Sequence, residues 1–419
     1  MVTQSENDRL TRVEGLAPMG RLLRENYWLP FARSESLAPG AVPQRVRLLG
    51  TDLVAFRGED GTLGLADERC PHRMASLALA RVEGCSLRCI YHGWRIGADG
   101  AVLEVPSEGE RSAEFAARVK VNRYAIREGG GLVWAFLGAG PDVNDAPELP
   151  PLPFMAVSAE GRSWWRMTVD CNWLQGFEGA LDSVHLNWLH QGWSDPAKPQ
   201  PFPKIAPGYE IEQTSYGLRT AAIRQPAPGR LHFRVAEFVA PFFAFSASRQ
   251  PTIATDCSCF ISVPIDDGRH ILLFGVWDET GQVQSMGSFF DGLDPDDLLA
   301  GDFQQSNNWG QDREAMAGGH FSGFTRSVLH EDLGVQMSMG QIVAREEEQL
   351  CSTDLAIVRM RQFLLEVLHR QEAGEPVDGA FSAYAADGHL PFSYEAEPGA
   401  DWRLGGQRGK LGQVVERVA

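Results

Sequence analysis

Two short cysteine–histidine pairs are the residues of this chain whose types and spacing indicate chemistry most directly. Cys70-Pro71-His72 is followed, after sixteen residues, by Cys89-Ile90-Tyr91-His92. Each pair places one thiolate and one imidazole on its own tight loop. A two-iron cluster with two cysteines on one iron and two histidines on the other uses this ligand set, and the histidines raise its reduction potential. The pairs therefore predict a centre for one-electron transfer.

The residues beside the pairs agree with this interpretation. Gly93 allows the backbone to approach a cluster closely, and Trp94 can cover it. The block from Cys70 to Trp94 resembles the fingerprint of Rieske [2Fe-2S] proteins. A structural zinc site is the alternative, since zinc also takes two cysteines and two histidines. Zinc-finger spacing, however, groups both cysteines before both histidines.

A second group of candidate ligands lies in the segment 172–190. Glu178, Asp182 and His185 follow i, i+4, i+7 spacing and would share one helix face. His190 lies five residues after His185, about 140° round an ideal helix. Both imidazoles can converge on one ion only if the helix widens or breaks between them, a distortion found at functional sites. The helical prediction rests on a stripe of apolar residues, namely Trp173, Phe177, Leu181, Val184 and Trp188.

Two histidines leave the 2-His-1-carboxylate arrangement of non-haem Fe(II) oxygenases one ligand short. The segment 172–190 resembles the mononuclear iron motif of the Rieske non-haem iron oxygenases. The segment 330–342 is similar to the one that donates the third ligand in that family, which makes Asp332 the carboxylate and Glu331 the nearest alternative. The resemblance thus implies a mononuclear Fe(II) held by His185, His190 and Asp332.

The resemblance extends over nearly the whole chain, from Pro18 to Ile357. Within the superfamily, the sequence around Glu178 and Asp182, together with the segment 336–340, most resembles the phthalate dioxygenase branch. That branch contains homo-oligomeric oxygenases of aromatic acids, alongside O-demethylases of methoxylated aromatics.

Supporting roles are also predicted for residues that would not bind metal themselves. Asp182 is three residues before His185, close enough on a helix to bond its free ring nitrogen and fix its orientation. The resemblance implies that Asp182 also links His185 to a cluster histidine of a neighbouring chain, in a homotrimer or stacked hexamer. A solvent salt bridge is the alternative for Asp182. Asn172, Glu178 and Trp94 are supporting candidates, and Glu178 could equally be an exposed helix residue.

Composition sets further bounds. The 419 residues predict two to three domains. With 38 basic and 55 acidic residues the net charge is −17, which argues against a nucleic-acid partner. The cysteines outside the two pairs are expected to be free thiols in a reducing compartment. The polar N-terminus and the absence of a long apolar run predict a cytoplasmic protein with no membrane segment.

The predicted fold class is α+β, with two domains. An N-terminal segment, 1–40, is expected to pack on the catalytic domain. Short strands with glycine turns between them predict a Rieske β-sandwich at 41–138. The proline-rich stretch 139–153 is the predicted linker. Residues 154–419 are expected to form a helix-grip-like catalytic domain, an antiparallel sheet with helices that hold the mononuclear iron, its strands near 217–223, 231–239, 259–263 and 270–277 and its helices near 295–316 and 354–371.

The expected activity follows from the two iron sites. The chain lacks a glycine-rich dinucleotide fingerprint, so electrons are expected from a separate NAD(P)H-dependent flavin/iron–sulfur reductase. The products would be a cis-dihydrodiol of an aromatic acid or, alternatively, a hydroxylated or O-demethylated aromatic. A non-catalytic Rieske electron carrier is the competing class, but it would need no second iron site. An arginine can bind a carboxylate bidentately, and the candidates beside the predicted strands are Arg219, Arg224, Arg234 and Arg249.

Overall fold

A computed structural model describes the chain at residues 2–138, 145–193, 205–247, 256–278, 290, 292–299, 301, 303–377, 379–387 and 389–405. These residues form two compact units. The smaller unit comprises Val13–Leu149 and Val263–Asp267, and the larger comprises the described residues of Met1–Arg12, Pro150–Ser262 and Gly268–Ala419. The units are defined by contacts, and the boundaries expected at 40, 138 and 153 stay a prediction. Part of the predicted linker, 139–144, lies outside the described residues.

The α-helices of the described chain are short except for one. They are α1 (Gln4–Thr11), α2 (Pro18–Asn26), α3 (Ser112–Ala116), α4 (Trp173–Leu181), α5 (Arg313–Ala317), α6 (Val328–Ser338), α7 (Leu355–Glu372) and α8 (Ala380–Asp387).

The strands of the smaller unit are β1 (Leu29–Arg33), β2 (Gln44–Leu48), β3 (Thr51–Arg57), β4 (Leu63–Asp67), β5 (Arg81–Glu83), β6 (Ser86–Arg88), β7 (Arg95–Gly97), β8 (Val102–Glu104), β9 (Ala125–Gly129) and β10 (Leu132–Phe136). They form three antiparallel sheets in the orders β1-β10-β9, β2-β3-β4 and β5-β6-β7-β8. Cys70, Cys89 and Trp94 belong to a buried apolar cluster that also includes Phe56 and Leu87.

The strands of the larger unit are β11 (Arg162–Val169), β12 (Gly208–Gln213), β13 (Gly217–Ala227), β14 (Arg230–Val239), β15 (Phe243–Ala247), β16 (Asp256–Asp266), β17 (Arg269–Asp278) and β18 (Phe392–Ala396). They form one sheet in the order β11-β17-β16-β15-β14-β13-β12. One edge of β14 is shared, since Leu231–Val235 pairs with β18 and Ala236–Val239 pairs with β15. Antiparallel sheets with helices confirm the predicted α+β class.

The helix predictions have different outcomes. The predicted helix near 354–371 is confirmed as α7, whose buried residues recur at helical spacing. The helix expected over 295–316 is wrong: its described residues form turns, a 3-10 segment at Gln305–Gly310 and the start of α5. Asn308 and Trp309 have positive φ there, which no α-helix accommodates. Within the described residues, no helix is both long and apolar enough to cross a bilayer.

Candidate active site

The two cysteine–histidine loops of the smaller unit have the same backbone hydrogen bonds. Cys70 N–H donates to Ala75 O over 2.8 Å, and Cys89 N–H donates to Trp94 O over 2.8 Å. The residue four positions after each cysteine donates back to the cysteine carbonyl over 2.9 Å. These residues are Met74 and Gly93, both with positive φ, at 61° and 75°. The sequence indicates this conformation for Gly93 but not for Met74.

The side chains of the loops converge as a cluster site requires. The ring centroids of His72 and His92 lie 4.4 Å apart, and Trp94 stacks on His72 at 4.9 Å. Burial, followed by the proximity of His92, lowers the pKa of His72. Burial raises the pKa of the Cys70 thiol to about 11. Among the described residues, the buried Nδ1 of His92 has no hydrogen-bond partner.

These observations fit a bound cluster. Metal coordination would satisfy the buried Nδ1 of His92, and it would remove the proton from the Cys70 thiol despite burial. Neutral imidazoles are the form that binds metal. The structure therefore brings together all four predicted ligands: Cys70, His72, Cys89 and His92.

In the larger unit, the helix predicted over 172–190 ends before both histidines, and each histidine lies on a separate turn. Helix α4 ends at Leu181, and separate 3-10 turns follow at His185–Asn187 and Leu189–Trp193. The shared face expected for Glu178, Asp182 and His185 is therefore wrong, because the backbone changes direction after Leu181. Trp188, predicted for the apolar stripe, is 53% exposed.

The break is tied to the sheet at Ser183. Its N–H donates to the Tyr209 hydroxyl over 3.3 Å, and its carbonyl accepts from Arg224 Nη2 over 2.9 Å. Burial, and then the nearby Asp182 carboxylate, raise the pKa of Tyr209 to about 12, so the hydroxyl stays neutral. Both backbone polar groups of Ser183 are thus held by side chains of strands β12 and β13. This clamp fixes the direction in which the chain continues from Asp182 to His185.

The break brings His185, His190 and Asp332 together. Asp332 Oδ1 lies 3.5 Å from Nε2 of His185 and 3.1 Å from Nε2 of His190. One ligand atom from each residue lies within 4.8 Å of the others. Two imidazoles and one carboxylate are the donor set of a non-haem Fe(II) site that keeps open positions. The residues present fit such an ion, and the carboxylate that lies beside both Nε2 atoms belongs to Asp332, not to Glu331.

A carboxylate lies beside the Nδ1 atom of each imidazole. Asp182 Oδ2 lies 3.3 Å from Nδ1 of His185. Burial raises the pKa of Asp182, but hydrogen bonds from His185 and from the Val184 N–H outweigh burial and lower it. Glu331 Oε2 lies 2.5 Å from Nδ1 of His190. From the sequence, Glu331 was only a competing metal ligand, and its spacing gave no signal for this contact.

A cavity opens beside the triad and is lined mainly by apolar side chains, including Leu186, Phe260 and Leu272. Arg234, Ser246 and Ser258 supply polar groups to its wall. The strand register explains why these three lie on one face. Ser246 pairs with Ala236, two residues after Arg234, and with Ser258. The sheet therefore presents one cation and two hydroxyl-bearing residues to the cavity.

The other predicted arginines lie elsewhere. Arg219 pairs with Glu237 across β13 and β14, on the opposite sheet face from Arg234. Its guanidinium bonds Glu237 at 3.0 Å and Glu212 at 2.9 Å, so we assign it a structural role instead of substrate binding. Arg224 shares the face of Arg234 but holds the Ser183 carbonyl. Arg249 lies outside the described residues.

The supporting candidates are structural ties. Asn172 caps α4, accepting from Leu174 N–H at 3.1 Å, and donates to Thr11 O at 2.9 Å. Glu178 accepts from Arg345 at 2.9 Å and from Arg361 at 2.7 Å. Burial raises the pKa of Glu178, but these two guanidinium groups outweigh burial and lower it. The exposed alternative for Glu178 is therefore wrong.

Two families match the chain. Residues 27–124 match the Rieske [2Fe-2S] domain, and residues 136–416 match the family described as LigXa C-terminal domain like. The larger match includes the triad and the cavity.

Three curated proteins are similar over most of their length. The phthalate 4,5-dioxygenase oxygenase subunit of Pseudomonas putida is 36% identical, over 96% of this chain and 94% of that protein. The 3-chlorobenzoate-3,4-dioxygenase oxygenase subunit of Comamonas testosteroni is 34% identical, over 89% and 90%. The 5,5'-dehydrodivanillate O-demethylase oxygenase subunit of Sphingobium sp. (strain NBRC 103272 / SYK-6) is 31% identical, over 90% and 82%.

The fold is shared with solved oxygenases. A carbazole-bound oxygenase in the ferredoxin complex of carbazole 1,9a-dioxygenase has a TM-score of 0.56 and 18% identity, covering 87% of this chain and 95% of that one. At that identity the likeness shows the fold alone.

Proposed function

This chain belongs to the Rieske non-haem iron oxygenases, and we propose that it is the terminal oxygenase that dihydroxylates an aromatic acid. Its wider class, an oxygenase related to aromatic-compound dioxygenases and O-demethylases, follows from the similar proteins. The observation that carries the finer proposal is the cavity. An apolar wall lies beside the His185, His190 and Asp332 triad, and Arg234 supplies a cation to it.

The metal-holding residues divide between the two units. Cys70, His72, Cys89 and His92 would hold the Rieske cluster, and His185, His190 and Asp332 would hold Fe(II). When bound, these groups supply one-electron transfer and reductive activation of O₂. Three protein ligands would leave the ion free to bind O₂ beside the substrate, and His185, His190 and Asp332 all line the cavity.

The residues of this chain bind and orient the substrate. Arg234 would bind a carboxylate through two parallel N–H donors, which a lysine cannot reproduce. Ser246 and Ser258 line the same wall; the Ser258 hydroxyl donates to the Ser246 carbonyl at 3.1 Å, and the Ser246 hydroxyl would be offered to the substrate. Phe260 and Leu272 would contact the aromatic ring and exclude water from the reacting carbon. The carboxylate thus sets which ring carbons face the triad.

We also propose that Asp182 connects the sites of two chains. It bonds His185 and keeps 32% of its side chain exposed, so a neighbouring chain can reach its other oxygen. A homotrimer, alone or stacked as a hexamer, would place a cluster histidine of the next chain there. Asp182→Asn should keep both metal sites loaded while slowing reduction at the triad. Rapid-freeze single-turnover measurements test this, and unchanged kinetics would contradict it.

The electron donor is proposed to be a separate NAD(P)H-dependent reductase, with or without a ferredoxin. The similar proteins are named as oxygenase subunits, which supports a separate component for electron delivery. Reductases of different classes can be tested for cluster reduction in stopped-flow experiments.

O-demethylation of a methoxylated aromatic acid is the second candidate. It is favoured by the 31% identity to a dehydrodivanillate O-demethylase oxygenase subunit over 90% of this chain. The same metal sites and the same arginine serve both reactions, so pocket shape decides between them.

The test starts with iron and acid-labile sulfide per chain, in wild type and His185→Ala. Loss of one iron with an intact Rieske EPR signal in the variant supports a two-site oxygenase. Equal iron in both would refute the mononuclear site. Phthalate, 3-chlorobenzoate and vanillate are then turned over under ¹⁸O₂. Both oxygen atoms in a dihydrodiol support dihydroxylation, whereas formaldehyde release supports O-demethylation.

A further inference from the structure

His190 is held between two consecutive acidic residues of α6. Asp332 Oδ1 lies 3.1 Å from Nε2 of the ring, and Glu331 Oε2 lies 2.5 Å from Nδ1. Consecutive side chains on a helix diverge by about 100°. The two carboxylates therefore reach opposite nitrogens of one imidazole. Nε2 faces the triad, and Nδ1 faces Glu331.

Glu331 is itself held from the side away from the triad. Its side chain is 0% exposed and that of His190 is 2% exposed. The other oxygen of Glu331 accepts a hydrogen bond from the Ser322 hydroxyl. Ser322 Oγ in turn accepts from Phe324 N–H at 3.2 Å. Burying a carboxylate is costly unless it is paired and hydrogen-bonded, and here both oxygens have partners.

We infer that Glu331 is a positioning residue for the mononuclear iron. Its carboxylate accepts a hydrogen bond from Nδ1–H of His190, which keeps the proton on Nδ1 and leaves Nε2 unprotonated for the metal. Histidines that bind metals commonly donate their second nitrogen in this way, which fixes the tautomer and increases ligand basicity. The inference rests on the proposed iron site. It adds a residue that binds no metal but decides how one ligand is presented.

Glu331 differs from Asp182, which contacts the other imidazole. The Asp182–His185 contact is longer, at 3.3 Å, and Asp182 is 32% exposed. The Glu331–His190 contact is shorter and fully removed from solvent. A charge-assisted hydrogen bond is stronger where water does not screen it. Glu331 therefore acts within one chain and holds its histidine more tightly than Asp182 holds His185.

The test measures Fe(II) affinity instead of turnover. Glu331→Gln keeps the size of the side chain, but its amide can donate to Nδ1 and favour the tautomer whose Nε2 carries the proton. Ser322→Ala keeps the carboxylate and removes its anchor. Glu237→Gln is the matched control, because Glu237 is equally buried and contacts Arg219 on the other sheet face. Fe(II) is titrated anaerobically into cluster-loaded protein in competition with a chelator.

We expect Glu331→Gln to weaken Fe(II) binding roughly 10- to 100-fold. Ser322→Ala should weaken it less, and Glu237→Gln should leave it unchanged while lowering thermal stability. Wild-type affinity in a folded Glu331→Gln, or equal loss in Glu237→Gln, would overturn the inference. If Glu331→Gln fails to fold, Ser322→Ala decides the question: an Fe(II) affinity equal to that of the wild type in this variant would also overturn the inference. A wild type that binds no more Fe(II) than His185→Ala would instead refute the proposed function.

Discussion

Arg224 Nη2 donates a hydrogen bond to the carbonyl oxygen of Ser183 over 2.9 Å, inside the larger unit. Arg224 is 1% exposed, so this bond is formed away from water. Ser183 is the residue between Asp182 and the turn that carries His185. An arginine that the sequence suggested for substrate therefore holds the metal-binding segment in place.

The Tyr209 half of this clamp is expected to affect iron retention. Tyr209→Phe removes the hydroxyl that accepts a hydrogen bond from the Ser183 N–H. The buried N–H is then left without this partner, which lowers the free energy of unfolding by about 1–3 kcal/mol. Urea unfolding and iron content measure both effects. Tyr216→Phe is the control, since it removes a hydroxyl that donates to Glu237 at 2.8 Å. Both variants should lose stability, but only Tyr209→Phe should release iron more readily; equal iron retention would contradict the clamp.

Arg234 is expected to determine affinity for the substrate carboxylate. Arg234→Gln loses a charged donor, and such hydrogen bonds contribute about 1.5–3 kcal/mol. The KM for an aromatic acid should therefore rise roughly 10-fold or more, because about 1.4 kcal/mol of lost binding free energy corresponds to a factor of ten. Steady-state kinetics with the acid and with its neutral amide analogue measure this. The KM for the amide should change little. An equal rise in KM for the acid and the amide would show that Arg234 supports the fold and does not bind the carboxylate.

Fe(II) is expected to stabilise the larger unit. The ion binds the folded triad and has no comparable site in the unfolded chain. At an Fe(II) concentration 100 times the Kd, the free energy of unfolding should rise by about 2.7 kcal/mol. Thermal unfolding with and without Fe(II), under anaerobic conditions, tests this. His185→Ala should show no such rise, and stabilisation of that variant by Fe(II) would point to another binding site.

His270 is expected to make stability depend on pH. Burial lowers its pKa from 6.5 to about 4, although its Nδ1 lies 2.7 Å from the Cys171 carbonyl. Because the folded pKa lies below the unfolded one, the unfolded state binds more protons between these values. Stability from this group is complete above pH 6.5 and is lost as pH falls to about 4. At 1.36 kcal/mol per pKa unit the loss is about 3 kcal/mol.

The measurement is urea unfolding from pH 7.5 to 4 in wild type and His270→Asn. Asparagine keeps a donor near the carbonyl but does not titrate. The variant should show a shallower decline over this range. Parallel curves for the two proteins would exclude His270 as the source.

Local patterns predicted much of the site. Both cysteine–histidine loops are closed by hydrogen bonds within six residues, so their spacing was sufficient to predict them. The five-residue separation of His185 and His190 required the helix to widen or break between them, and the structure places them on separate 3-10 turns, His185–Asn187 and Leu189–Trp193. The helix expected over 295–316 failed because composition there did not reveal the positive φ of Asn308 and Trp309.

Contacts between distant residues could not be read from spacing. Glu331 and His190 are 141 positions apart, and the residues around Glu331 give no signal that its carboxylate contacts that histidine. The roles of Arg219 and Arg234 depend on strand register, since a shift of one residue exchanges the two faces of a strand. The hydrogen-bond partners of Glu178 are Arg345 and Arg361, which are 167 and 183 residues away in the sequence.

The sequence by itself determined the candidate metal donors, because thiolate, imidazole and carboxylate groups follow from residue type and the two cysteine–histidine loops close through short-range hydrogen bonds. Only the tertiary structure decided which arginine faces the cavity and which buried acid contacts Nδ1 of His190. Those choices depend on how α6 and the sheet pack against α4, and packing of distant segments sets directions that no local pattern contains.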